Sequence, residues 1–411
     1  MAHASSNSWL IYNVKKVVVP LISILVFVED IFVLLLCQLY ITHFIPKDTP
    51  RFQNALDQTK KAFICILITI WHVVAPSKVR ITTDNKTIPK GTFFIDLKKN
   101  KFSSNIKPNS VTIANHQIYT DWVFLWWLAY TSNLAGRVYI MLKKSLQSIP
   151  VLGYGMTNFK FIFMNRKWAA DRVHLINSLR ELDADARGTG SLTGSRPVSV
   201  DDNGLINWNT TIQPSAEIKQ SKKGTSCWPY NLILFPEGTN HTANTLSKSI
   251  IFAEKANRKP LKNVLLPHST GLRFCLRNLK PSLDILYDVT IAYSGIDKET
   301  KFAADAYGLG SIFLEGKYPS IVDIYIRAFE IENIPIDDED QFVDWIYNVW
   351  KEKDELLENY HKNGNSFGLD PELNYSTMDG FSVSNWEFFL VLAFPLASTL
   401  FLLKYILSLL F

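Results

Sequence analysis

Residues 112–122 read Thr-Ile-Ala-Asn-His-Gln-Ile-Tyr-Thr-Asp-Trp and put His116 five positions before Asp121. On one continuous helix, residues five apart lie about 140° apart around the axis and cannot share a face. The two side chains meet only if His116 leaves a strand or loop and Asp121 opens a helix. The flanking residues fit that demand. Residues 110–114 read as a buried strand, 115–120 as a turn, and 121 onward as an apolar helix with its acid in the first turn, where the helix dipole favours it. An imidazole held by a carboxylate has its tautomer and orientation set, which suits a general base. A helix-capping acid beside an unrelated histidine is the other reading of the same spacing.

Two further stretches have the same strand-into-turn character. Residues 232–239, Leu-Ile-Leu-Phe-Pro-Glu-Gly-Thr, run a strand into a tight Pro-Glu-Gly turn, and residues 159–166, Phe-Lys-Phe-Ile-Phe-Met-Asn-Arg, end a strand on the guanidinium of Arg166. With residues 265–271, Leu-Leu-Pro-His-Ser-Thr-Gly, these stretches resemble, in order and separation, the four motifs of the glycerophospholipid acyltransferase family. The resemblance covers roughly residues 79–368. It extends to 143–155, where the family has lysine and an Ile-Pro-x-x-Gly turn. Residues 286–293 and 350–357 are similar to the branch that contains the lysocardiolipin, lysophosphatidylglycerol and lysophosphatidylinositol acyltransferases.

Composition excludes several other classes. The chain has 411 residues, 47% hydrophobic and 13% aromatic, with a net charge of +5. That is too apolar for a disordered chain and too weakly basic to wrap a nucleic acid, but it suits contact with anionic lipid. Cys37, Cys65, Cys227 and Cys275 form no close pair and lack metal-ligand spacing, so they read as free thiols facing a reducing compartment. His116, His241, His268 and Asp121 also lack local ligand spacing, and no metal is expected.

Residues 17–41 are almost wholly apolar, broken by Glu29, Asp30 and Gln38. They read either as one membrane span or as a hairpin bent at the acidic pair. Residues 46–61 are polar and basic, and 62–75 read as a half-buried or interfacial helix. The helix after Asp121 carries Trp122, Trp126 and Trp127, and belongs either to the core or to a lipid-adjacent face. Strands are expected at 79–83, 92–96, 137–142, 264–266, 283–293 and 321–329, with helices at 169–182, 243–256 and 337–363. Residues 183–229 turn small and polar and read as a flexible insertion. Residues 386–411 read as a closing membrane helix, with Lys404 near its far end.

The resemblance implies an α/β fold, with a mixed, mostly parallel sheet flanked by helices, and the apolar runs add membrane helices at both ends. Together they divide the chain into membrane-associated helices at 1–77, a catalytic domain at 78–380 and a membrane helix at 381–411. It also implies acyl transfer from acyl-CoA to the free hydroxyl of a lysophospholipid, most closely lysophosphatidylinositol, with no cofactor and no nucleic acid involved. His116 would take the hydroxyl proton and Asp121 would orient the ring, while Asn115 or backbone N–H groups would face the oxyanion. Arg166 would bind the acceptor phosphate, or else pair with Asp171. Glu237, Gly238 and Thr239 would contact the acceptor or order their turn. At the fourth motif Pro267 carries over more readily than His268, because relatives of this branch place arginine there. A lysophosphatidate acyltransferase and a catalytically silent lipid-binding protein are the alternatives. The expected location is the endoplasmic-reticulum membrane, or a lipid-droplet surface, with the catalytic domain in the cytosol. Nothing in the sequence sets an oligomeric state.

Overall fold

The computed structural model describes residues 17–47, 49–98, 101–165, 168–209, 227–296, 302–367 and 374–410. Two long helices come first. α1 (Val19–Phe44) is continuous through Glu29 and Asp30, so the hairpin alternative does not hold. Glu29 instead accepts a hydrogen bond from Ser398 of the last helix at 2.6 Å, and Asp30 is buried. Among the described residues, α1 is the helix long and apolar enough to cross a membrane. α2 (Pro50–Val74) starts well before the expected 62–75. Thr49 caps it by accepting from Phe52 N at 3.1 Å, and Pro50 occupies its first turn. The polar residues at 50–61 are absorbed by tertiary contacts. Lys60 is fully buried, donating to Val138 O at 2.8 Å over the Tyr139 ring, and Asp57 meets Arg137 at 3.0 Å.

The strands are β1 (Lys78–Asp84), β2 (Phe93–Asp96), β3 (Lys101–Ser104), β4 (Ser110–Ala114), β5 (Val138–Lys143), β6 (Ile162–Met164), β7 (Ser199–Val200), β8 (Ile206–Asn207), β9 (Asn231–Leu234), β10 (Ile285–Tyr293), β11 (Ile321–Glu330) and β12 (Asn374–Gly380). Eight of them form one sheet in the order β12-β1-β11-β10-β4-β9-β5-β6. Neighbours are parallel except at β12/β1 and β10/β11. This is the mixed, mostly parallel sheet expected. β12 was not foreseen: its polar sequence lacks the apolar alternation of a strand, and only its pairing with β1 makes it an edge strand.

The helices that follow α2 are α3 (Asp121–Thr131), α4 (Leu152–Asn158), α5 (Trp168–Arg187), α6 (Ala243–Lys255), α7 (Ser269–Leu279), α8 (Ala303–Ala306), α9 (Leu309–Phe313), α10 (Glu339–Lys362) and α11 (Asn385–Leu410). Successive strand residues point to opposite faces, so the sheet buries two cores. Ala114, Val289 and Ile291 pack with α2 and α3. Val111, Ile113, Leu232 and Leu286 pack with α5, α7 and α10. The tryptophans of α3 belong to the first core: Trp126 and Trp127 are fully buried and donate to Ala135 O and Ser382 O at 2.7 and 3.0 Å. That removes the lipid-facing alternative.

Three further expectations are corrected. Residues 264–266 are buried but form no strand, and 269–279 form the unforeseen α7. The stretch 183–229 does not begin as a loose insertion: Asp183 pairs with Arg187 at 2.6 Å and Asp185 accepts from Leu192 N at 2.9 Å. Trp228 is buried under the Arg137 guanidinium, while 210–226 lie outside the described residues. α11 contains Pro395, and among the described residues its apolar stretch is Asn385–Phe401, shorter than a full crossing. Its outer residues Phe389, Leu390, Phe394 and Leu400 are exposed, as are Leu21, Ile22, Val28 and Phe32 of α1.

The second core encloses an ion pair. Lys353 of α10 is fully buried and donates to Asp288 Oδ1 at 2.5 Å, to Val289 O at 2.7 Å and to Thr290 Oγ1 at 3.2 Å. Replacing Lys353 with Met leaves the buried Asp288 carboxylate short of a partner. The expected cost is about 3 kcal/mol, read as a lowered unfolding temperature in detergent. An unchanged temperature would show that α10 is not anchored this way.

Candidate active site

The parallel strands set where the site forms. β4, β9, β5 and β6 run the same way, and their carboxyl ends open into one crevice, the usual place for a ligand in an open α/β sheet. β4 ends at Ala114, the chain turns through 115–120, and Asp121 opens α3. His116 Nδ1 lies 2.8 Å from Asp121 Oδ2. The same oxygen accepts from Gln117 N at 2.6 Å and Ile118 N at 3.0 Å, and Asp121 Oδ1 accepts from the Tyr293 hydroxyl. Asp121 is completely buried, while the imidazole is 16% exposed and stacks on Phe235 at 4.3 Å. With Nδ1 held by Asp121, Nε2 is the nitrogen left to take a proton from a group in the crevice.

β9 delivers the second wall. Phe235-Pro-Glu-Gly closes a turn with Gly238 N on Phe235 O at 2.9 Å, and Gly238 takes φ +69°, which only glycine adopts without strain. The turn is tied to the first motif, because His241 N donates to His116 O at 2.7 Å. Glu237 points away from the crevice, buried, with Oε1 accepting from Trp350 Nε1 at 3.1 Å. Burial pushes its carboxyl up to about 8, against the pull of the Trp350 indole, the backbone N–H groups of His116 and Leu265, and Lys353.

The resulting cavity has a volume of about 670 Å³. His116, Lys143, Asp171, Gly238 and His268 supply its polar lining, and Met141, Met164, Phe235 and Leu272 much of the apolar wall. Asp171 Oδ1 accepts from Asn165 N and Nδ2 at 2.8 and 2.9 Å, so the acid also pins the end of β6. His268 directly precedes α7 and donates its backbone N–H to Pro236 O at 2.9 Å, and burial lowers its imidazole pKa. Burial thus disfavours the charged form of the ring where it lines the cavity.

Of the residues singled out in the sequence, His116 and Gly238 line the cavity, and Asp121 stands directly behind His116. Asn115 does not face it. Its amide exchanges two hydrogen bonds with the Ile291 backbone, at 3.0 and 2.8 Å, and joins the end of β4 to β10. Both side-chain atoms are used, so the oxyanion role expected of that side chain is withdrawn. Glu237 is likewise structural in position, Thr239 is exposed beyond the turn, and Pro267 lines a smaller neighbouring cavity with Arg258 and Tyr347. Arg166 lies outside the described residues. Sequence reasoning left Tyr293, Phe235 and Trp350 out of the site, because no local spacing links them to residue 116.

The raised pKa of Glu237 has a definite sign. A carboxyl held at about 8 when folded, against an ordinary value of 4.5, contributes stability that is complete below 4.5 and is lost as pH rises through about 8. The Glu237→Gln protein lacks that dependence. Thermal unfolding followed from about pH 5 to about pH 9 is expected to show the wild type losing ground to the variant. Parallel curves would mean that Glu237 is not held protonated.

The family model described as Acyltransferase matches residues 96–294, and that described as Acyltransferase C-terminus matches 312–388. The chain is 53% identical over 384 residues, 93% of its length and 94% of the relative's, to the 2-acyl-1-lysophosphatidylinositol acyltransferase of Saccharomyces cerevisiae. An uncharacterized acyltransferase of Schizosaccharomyces pombe is 34% identical over 74% of this chain and 74% of its own. Lysocardiolipin acyltransferase 1 of Gallus gallus is 29% identical over 73% of this chain and 64% of its own. With a strand-end histidine held by a buried aspartate, and with these relatives matched along most of its length, the chain belongs to the acyltransferase family and is an enzyme that transfers acyl groups.

Proposed function

We propose that this enzyme transfers a fatty acyl group from acyl-CoA to the free hydroxyl of a lysophospholipid, with lysophosphatidylinositol as the preferred acceptor. The observation that carries the chemistry is His116, with Nδ1 on Asp121 and its ring lining the cavity. His116 Nε2 removes the acceptor's hydroxyl proton as the oxygen attacks the thioester carbonyl, and Asp121 stabilises the imidazolium that forms. The C–O ester bond forms, the C–S bond breaks, and the proton passes from His116 to the departing thiolate. A thioester is already activated, so no covalent enzyme intermediate is required. The head-group preference rests on the yeast relative at 53% identity.

Lys143, at the end of β5, and Arg166, beyond β6, are the cations we assign to the acceptor's phosphate. The apolar wall of Met141, Met164 and Leu272 suits a hydrocarbon chain. Residues 1–77 and 381–411 attach the enzyme to the endoplasmic-reticulum membrane through the exposed apolar sides of α1 and α11, and residues 78–380 face the cytosol, where acyl-CoA is held. The position of Asn240 supports that orientation. Its amide lies 3.5 Å from His116 Nδ1, so a lumenal glycan on the Asn-His-Thr sequon would fill the mouth of the site.

The purified enzyme in lipid nanodiscs, given radiolabelled acyl-CoA and a panel of lysophospholipids, is expected to show its highest kcat/KM with lysophosphatidylinositol. His116→Ala is expected to lower kcat by about 10³-fold or more while remaining folded. Faster transfer to lysophosphatidate would overturn the head-group assignment, and a variant keeping a tenth of wild-type turnover would overturn the base. In sealed microsomes, added protease is expected to reach the catalytic domain, with no glycan on Asn85, Asn209, Asn240 or Asn374. Protection together with glycosylation would reverse the topology.

A further inference from the structure

Helix α10 lies far along the chain from the His116 turn, yet one stripe of it reaches that turn twice. Trp350 and Asp354 stand four residues apart and so share a face. Trp350 is fully buried and donates its indole N–H to Glu237, in the turn whose Phe235 stacks on the His116 ring at 4.3 Å. Asp354 Oδ1 accepts from Lys262 N at 2.9 Å and Asn263 N at 2.5 Å. Asn263 O in turn accepts from the Gln117 side chain at 2.9 Å, next to the base. Lys262 O lies 3.2 Å from His241 Nε2, and His241 N donates to His116 O. The His116 carbonyl and the Phe235 turn against its ring are therefore both tied to α10, each through one intermediary group or short chain of groups.

We propose that Trp350 and Asp354 are positioning residues for acyl transfer. Through the Glu237 turn and through the 262–263 peptides, they hold the loops around His116 so that its ring meets Asp121 and the cavity together. This rests on the reading of His116 as the base. A helix that only filled the core would need apolar contacts at these positions. Here α10 spends a buried indole N–H and a half-buried carboxylate on the loops that frame the catalytic histidine. Lys353, between them, anchors the same helix to β10, the strand that ends on Tyr293 and so reaches Asp121 from the other side. Small displacements of a general base cost rate out of proportion to their size, because proton transfer needs hydrogen-bond distance.

The test separates positioning from packing. Trp350→Phe keeps the ring and removes the donor. Its kcat is expected to fall about tenfold, with KM for acyl-CoA and for lysophospholipid each within about twofold of wild type. Asp354→Ala is expected to behave in the same way. On a Glu237→Met background, Trp350→Phe is expected to add no further loss, because its effect runs through that carboxyl. Leu357→Ala, a buried packing change on the same helix, is expected to lower the unfolding temperature while leaving kcat within about twofold. Wild-type kcat in Trp350→Phe, a loss that multiplies with Glu237→Met, or an equal kcat loss in Leu357→Ala would each overturn the proposal. Failure of the wild-type enzyme to use acyl-CoA would instead overturn the functional reading beneath it.

Discussion

The carboxylate of Asp121 is the point on which the site depends. It is fully buried, and an isolated charge there would cost far more than any single contact returns. Its two oxygens take four donors: the Gln117 and Ile118 amides, the His116 ring and the Tyr293 hydroxyl. Those bonds force the chain into a tight turn between β4 and α3, and the turn brings a histidine five residues upstream onto the acid. The first turn of α3 adds a favourable dipole. Structure and chemistry share one requirement here, since the groups that make the buried acid tolerable also fix the tautomer of the base.

The sheet supplies the rest by topology. Parallel order from β4 through β9, β5 and β6 aligns four carboxyl ends, so residues as far apart as His116, Lys143, Met164 and Gly238 line one cavity. β10, parallel to β4 and longer, carries Tyr293 past the end of β4 to Asp121, and its antiparallel pairing with β11 then breaks that order. β10 and β11 offer α10 a seat through Asp288 and Arg327, which Lys353 of the helix joins in one ion network. The region matched by the C-terminal family model thereby becomes part of the frame around the catalytic turn.

The apolar helices join that frame directly. α2 contributes Ile64, Ile68 and Trp71 to the same core as Ala114 and Ile291, so the segment before residue 78 and the catalytic sheet share one interior. α1 and α11 lean on each other through Glu29 and Ser398 and leave an exposed apolar surface. A lipid acceptor is itself confined to a bilayer, and a site built onto helices of this kind stays within reach of it.

What the sequence determined by itself was whatever depends on neighbours along the chain. The 110–114 strand, the turn and the helix from Asp121 follow from apolar runs and from the geometry that a five-residue spacing forbids. The Gly238 turn follows from glycine's freedom at positive φ, and the His–Asp pairing from its own local spacing. Tertiary structure alone decided how polar residues were to be read. Lys60 and Asp57 look like a solvated flank until β5 covers them, residues 374–380 look like a loop until β1 pairs with them, and the 183–192 stretch looks loose until its acids find Arg187 and Leu192 N. Asn115 looked like a donor for the reaction and proved to be a bond to Ile291, while Trp350 gave no local sign of its tie to Glu237. Each of these partners lies from several residues to hundreds of residues away, and a buried polar group takes its role from the partner that satisfies it. Only the folded chain places that partner.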